Sequence, residues 1–332
     1  MRVVSQYVVS NNDAGPKAKT DIEQILKSNY DAKVFTNKVK NNKEKNINNK
    51  IKKFLFSYKA LNTNEITIIQ IPFTNKIKIL DLAKNKIGII HDVNGIRYNN
   101  EELLKQEINA FNQYKGIIVH NDTMKDLLIE KGLKTDITEI ELFDYLVDEE
   151  FYIKEKKFDK KNIKIAYPGN LEPNKAKFIY DLNETEMNFE LCIYGNYLER
   201  EKIKNRKIVY KGSFPPNKIV NNLDEDLGLV WSGCLDEKDE KQGEKGYTKY
   251  NTPHKLSCFL TAGIPVIVWE KSAIAKIVEK YDIGYKINNV YDINKINFDD
   301  YDRKKENTIN ISKKLREGYF TKKAIEEMMK KI

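Results

Sequence analysis

The chain has 332 residues, 40% hydrophobic and 32% charged, which is room for two ordinary domains, each with its own core. No apolar run approaches the roughly eighteen residues a membrane-crossing helix needs, so a spanning helix is excluded. The net charge of +9 arises from 58 basic and 49 acidic residues dispersed along the chain, a pattern against nucleic-acid binding.

The first residues, MRVVSQYVVSNNDAG, read as a buried strand and not as a signal peptide. Further short apolar runs at 66–71, 87–90 and 117–120 read as buried strands, with helix-like segments at 17–27 and 101–112 between them. The basic stretch 38–53 is the best candidate for a face near anionic lipid, a solvated loop being the plainer reading. After a charged segment at 148–161 that reads as a linker, the rhythm restarts. Strands are expected at 162–166, 189–194, 207–210, 227–231 and 264–269, and helices at 253–261 and 273–280. This alternation predicts an α/β chain of two Rossmann-like, doubly wound domains with parallel sheets, whose ligands bind beyond the carboxyl ends of the strands in a central cleft.

Four motifs fall at such strand ends. In NNDAGPKAK, Gly15 permits close backbone approach, Pro16 starts a helix whose N–H groups suit a diphosphate, and Lys17 and Lys19 add charge; an ordinary turn explains it equally. IIHDVNGIR ends a strand in His91 and Asp92, an imidazole and a carboxylate suited to taking a hydroxyl proton, with Asn94 and Arg97 in the loop behind them. Asp92 as a turn cap and His91 as a packing residue is the plainer alternative. YPGNLEPNK puts Lys175 within reach of a phosphate. YNTPHKLSCFLTAGIPVIVWE carries most weight: after Asn251, Pro253 opens a helix with His254 and Lys255 in its first turn, and Lys is otherwise disfavoured there unless an anion is to be bound. Tyr210 in VYKGSF is a candidate to stack on a nucleobase, and 236–246 reads as a loop over the cleft. The three cysteines (Cys192, Cys234, Cys258) and three histidines show no metal-ligand spacing, so no metal is expected, and a reducing cytoplasm suits this usage.

The segment PHKLSCFLTAGIPVIV resembles the donor-binding helix and strand of GT-B glycosyltransferases. With DAGPKAKTDIEQI, IIHDVNGIR, LFDYLV, YPGNLEPNKAKFIY, YKGSF, GLVWSG and KLREGYF, the chain is similar to bacterial β-1,6-galactofuranosyltransferases of O-antigen and capsule polysaccharide synthesis. More distantly it resembles the glucosyltransferases that extend GlcNAc on streptococcal adhesins. The resemblance implies domains at 1–155 and 156–313, with the helix 314–332 packing back on the first, acceptor-side domain. It also implies a UDP-sugar held by Lys175 and Lys255, with Tyr210 near the uridine, Gly15 closing the cleft, and no metal or other cofactor. Asn251 and His254 belong to that donor set; Pro16, Lys17, Asn94 and Arg97 belong to the acceptor side. Many configuration-retaining members carry two Glu where this chain has Tyr250 and Cys258, which points to inversion, with Asp92 as the base and His91 as alternative base or orienting group.

The resulting expectation is transfer of galactofuranose from its UDP donor to a glycan acceptor of the lipid-linked kind assembled at the inner face of the membrane, by a cytoplasmic homo-oligomer in peripheral contact with that face. Two alternatives stay open. One is a UDP-glucose-dependent glucosyltransferase acting on protein-linked GlcNAc. The other is an inactive GT-B subunit that binds sugar or a partner, in which Asp92, His91, Lys175 and Lys255 would be dispensable. An epimerase or mutase would need a nicotinamide or flavin, and the glycine fingerprint for it is missing.

Overall fold

The computed structural model describes residues 1–8, 15–39, 64–72, 83–235 and 243–332. Residues 11–14 of the first motif, 40–53 of the basic stretch and 236–242 of the expected cleft loop lie outside the described residues. The chain divides into two compact units, one formed by 1–144 with 318–332 and the other by 145–317.

In the first unit, β1 (Arg2–Val8), β2 (Lys33–Val39), β3 (Thr67–Ile71), β4 (Lys86–Ile90), β5 (Gly116–Val119) and β6 (Asp136–Glu139) form one sheet. Its order is β2-β1-β3-β4-β5-β6, and every pair is parallel. The sequences explain the pattern: TIIQI, KIGII and GIIV are buried at every position, as strands covered on both faces must be. The covering helices include Gly15–Tyr30 and Glu101–Phe111, the latter started by the Asn100 side chain accepting from Leu103 N at 2.9 Å. The helix Tyr319–Lys331 completes this unit, packing on β5, β6 and the helix Gly15–Tyr30 with Phe320, Ile325 and Met328 buried. The helix before it, Tyr301–Arg316, stops where Gly318 takes φ +71°, a conformation in which a side chain is strained and would also meet Ile25.

The second unit repeats the design with β7 (Ile163–Pro168), β8 (Phe189–Tyr194), β9 (Ile208–Gly212), β10 (Leu227–Val230), β11 (Val266–Trp269) and β12 (Gly284–Ile287). The order is β12-β11-β10-β7-β8-β9, again all parallel, which is the doubly wound dinucleotide-fold order. The chain winds outward from β7 first one way and then the other, so the strand order reverses between β7 and β10. In the first sheet the reversal falls between β1 and β3.

The segment read as a linker is part of the second unit. Phe158 stacks on Tyr301 with ring centroids 3.8 Å apart, Phe151 is buried under Arg316, and Lys156 pairs at 2.8 Å with the buried Asp226. Its apolar residues at 151, 153 and 158 outweigh its charge once they find a surface to cover. The unit boundary accordingly lies at 144/145, ahead of the 155/156 position drawn from the sequence, and the second crossing lies at 317/318 rather than 313/314.

Candidate functional site

In the second unit two of the residues expected to hold the donor, Lys255 and Lys175, lie on elements that meet where the strand order reverses. The helix His254–Thr261 starts at Pro253, whose φ of −71° and ψ of 139° put the chain in the extended entry that a helix N-cap requires, and Leu256–Thr261 are buried against the sheet. Lys255, in the first turn, reaches across the reversal. Its Nζ donates to the carbonyl of Trp231, just past β10, at 3.2 Å, and sits 4.4 Å above the ring of Tyr167 near the end of β7. Lys175 joins from the loop after β7: Gly233 N donates to its carbonyl at 3.1 Å and Phe178 N donates to Gly233 O at 2.9 Å, tying that loop to the one after β10. Its side chain is exposed. Beside Lys255 is a cavity of about 20 Å³ lined by Trp231, Ser232, Thr248, Pro253, Trp269 and Ser272.

The other donor-side candidates stand differently. His254 lies flat against Tyr145, ring centroids 4.9 Å apart, and the Tyr145 hydroxyl donates to the carbonyl of Pro216. Asn251 is half-buried before the helix, and its Oδ1 finds no hydrogen bond among the described residues. Tyr210 is not brought to the reversal. It belongs to β9, two strands from β7, its hydroxyl donates to Gly195 O at 3.0 Å, and the Arg200 guanidinium covers its ring at 4.6 Å.

In the first unit, β4 ends in the predicted pair. Asp92 accepts from Arg97 Nη1 at 3.0 Å, both side chains being about a third exposed. His91 Nε2 lies 2.7 Å from Gln70 Oε1, and its ring stacks on Phe143 at 5.2 Å. The following turn is held by Glu107, whose carboxylate accepts from Asn94 N at 3.0 Å, Asn94 Nδ2 at 3.2 Å and Gly95 N at 2.8 Å. Burial raises the Glu107 pKa, and the Asp92 charge raises it further, while these donors pull it back. Gly15 and Pro16 do open a helix, with Gly15 exposed. Lys17 is turned into that helix, with Nζ 2.8 Å from Asp21 in a nearly buried i,i+4 pair.

Sequence reasoning gave Lys19 only a charge toward a ligand and passed over Gln70 beneath this site. Lys19 is buried where the strand order reverses, donating to Gln6 O at 2.8 Å and Pro72 O at 3.2 Å; burial lowers its pKa to about 8, against the pull of Asp92 and Glu23. Gln70, fully buried, donates to the Lys19 carbonyl at 3.0 Å, and His120, just past β5 and also buried, lies edge-on to Phe143. A glutamine inside the apolar run TIIQI was the available signal, because a buried polar side chain on a central strand is held there by hydrogen bonds.

Two parallel doubly wound units, each with a polar strand-end site, define the GT-B architecture of glycosyltransferases. Models of the glucosyltransferase 3-like N-terminal and C-terminal domains match residues 1–142 and 165–328, and the chain belongs to that family of glycosyltransferases. It is 32% identical over 222 residues to the β-1,6-galactofuranosyltransferase WbbI of Escherichia coli K12, covering 64% of this chain and 63% of that protein, a little under two thirds of its length. Glucosyltransferase 3 of Streptococcus gordonii is 27% identical over 260 residues, covering 76% of this chain and 72% of that one. Among solved structures, Anabaena HepE in complex with UDP and glucose shares the fold with a TM-score of 0.61 at 12% identity, covering 99% of this chain and 98% of that one. Among the described residues no helix is long and apolar enough to cross a membrane.

The fully buried His120 gives a pH signature. Burial lowers its pKa from 6.5 to about 4, against hydrogen bonds to the backbone at Ile90 and His91. The unfolded chain therefore takes up a proton that the folded one refuses, and stability falls as pH drops from about 6.5 toward 4. The urea midpoint is expected to decline across that window, with a smaller decline in His120→Gln.

Proposed function

We propose that the chain transfers galactofuranose from UDP-galactofuranose to a hydroxyl of a glycan acceptor, with inversion at the anomeric carbon. The observation that carries this reading is the Lys255 ammonium at the β7/β10 reversal, in the first turn of a helix and beside the loop bearing Lys175. Two cations and a helix N-terminus there suit a diphosphate, and they would stabilise the negative charge that UDP acquires as its bond to the sugar breaks. The UDP bound to HepE, a protein of the same fold, supports a nucleotide-sugar donor.

On the acceptor side Asp92 is the general base. The Arg97 guanidinium orients its carboxylate, placed to take the hydroxyl proton as the oxygen attacks the anomeric carbon. His91 orients the acceptor. The identity to WbbI favours galactofuranose; lipid-linked acceptors and peripheral membrane contact extend that reading. Glucosyl transfer to GlcNAc on a protein is a second reading, favoured by the family models and the streptococcal relative.

Incubation with UDP-galactofuranose or UDP-glucose, each with simple glucoside and GlcNAc acceptors, decides between them. A β-linked galactofuranosyl product is expected, and glucosylated GlcNAc would select the second reading. Lys255→Ala should weaken UDP binding about tenfold or more by calorimetry, equivalent to about 1.4 kcal/mol; unchanged affinity would remove Lys255 from the donor site. Asp92→Asn should cut turnover by about 10²–10⁴ with UDP affinity unmoved, and an unaltered rate would reject it as the base.

A further inference from the structure

The hydrogen bonds behind His91 leave one consistent arrangement of protons. Gln70 Nε2 lies 3.0 Å from the backbone carbonyl of Lys19 and 2.6 Å from Ser5 Oγ. A carbonyl oxygen only accepts, so the amide nitrogen must face it; the flipped amide would set two oxygens against each other. The Ser5 hydroxyl is hydrogen-bonded to the Glu23 carboxylate, which also accepts from Thr36 Oγ1 at 3.0 Å. With its hydrogen directed to Glu23, Ser5 Oγ accepts from Gln70. The Gln70 oxygen is thereby left facing His91 Nε2 at 2.7 Å, and an amide oxygen cannot donate.

We propose that Gln70 is a positioning residue for the transfer reaction: it fixes the neutral His91 ring in the tautomer protonated at Nε2, so that Nδ1 is the basic atom of the ring. The proposal rests on the acceptor-side reading of His91 given above. The chain of donors runs in one direction, His91 to Gln70 to Ser5 to Glu23, and ends on a buried carboxylate, so each bond polarises the next. Phe143, stacked on the ring at 19° between planes, holds its orientation. The arrangement does for His91 what a carboxylate beside a histidine does elsewhere, with an amide and a hydroxyl carrying the effect across two strands and a helix. The titratable and charged groups around the ring are Lys19 and Glu23 of the helix Gly15–Tyr30, His120 beyond β5, the Asp92–Arg97 pair, and Glu107 of the helix Glu101–Phe111.

The chain has three histidines, which makes the test direct. Long-range ¹H–¹⁵N spectra of the ¹⁵N-labelled full-length protein resolve each ring, and His91 is assigned by the signals lost in His91→Gln. At a pH where the ring is neutral, a single tautomer protonated at Nε2 is expected. Gln70→Met should let the ring sample both tautomers and lower kcat for transfer from UDP-galactofuranose about 10–100-fold, with the donor KM unmoved and circular dichroism unchanged. A wild-type ring protonated at Nδ1, or mixed, overturns the proposal without recourse to any variant. So does a Gln70→Met protein with wild-type tautomer and kcat. Full turnover by His91→Gln would instead sink the acceptor-side reading, a failure the wild-type spectrum distinguishes.

Discussion

Where a parallel sheet reverses its strand order, two adjacent strands send their following helices to opposite faces, and the main-chain groups at their carboxyl ends are left without a cover. The chemistry of this chain depends on how those two uncovered places are filled. Both receive a lysine. In the second unit Lys255 arrives from a helix that begins at the reversal, and its ammonium bridges the two strands through a carbonyl and an aromatic face. In the first unit Lys19 is drawn inward and held by the carbonyls of Gln6 and Pro72, one from each strand flanking the reversal. The same residue type thus serves two ends. The half-buried cation spans the ends of β7 and β10, whereas the buried one ties together the ends of β1 and β3.

The turn that bears Asp92 and Arg97 is fixed by its own hydrogen bonds. Glu107 satisfies the N–H groups of Asn94 and Gly95, so the turn after β4 has a defined course. Asp92 and Arg97 are then neighbours on that turn, and the negative charges of Asp92 and Glu23 act on the buried Lys19 ammonium. Lys19 loses basicity on burial yet keeps its proton near neutrality, which is what the two carbonyls require of it.

Strand alternation was legible because β-branched runs such as KIGII have no other stable use than a sheet covered on both faces. The helix around Lys255 was legible too: a proline before it, a lysine in its first turn and a closing Ala-Gly mark its bounds. Other features depended on tertiary partners that no local pattern names. Lys17 and Lys19 look alike in sequence, yet one pairs with Asp21 and the other is buried beneath two carbonyls. Tyr210 reads as a free stacking ring until Arg200 is found over it. The segment 148–161 reads as a linker by its charge, but Phe158 finds Tyr301 across more than a hundred residues of chain. Ser5, Glu23 and Gln70 are separated in sequence, and their alignment exists only once β1, β3 and the first helix are assembled.

The double crossing of the chain has a consequence for biosynthesis. Asp144 accepts from the N–H groups of Phe320 and Thr321, and Met328 lies directly over Gly116 of β5. The sheet made first by the ribosome therefore lacks part of its covering layer until residues 318–332 have emerged. The second unit, continuous from 145 to 317, contains all of its own strands by then. The order of completion is the reverse of the order of synthesis, and the nascent first sheet carries an exposed apolar strip over β5 and β6 for the whole time the second unit is being made. A chaperone that shields that strip, or premature termination that removes its cover, would act on the first unit while leaving the second intact.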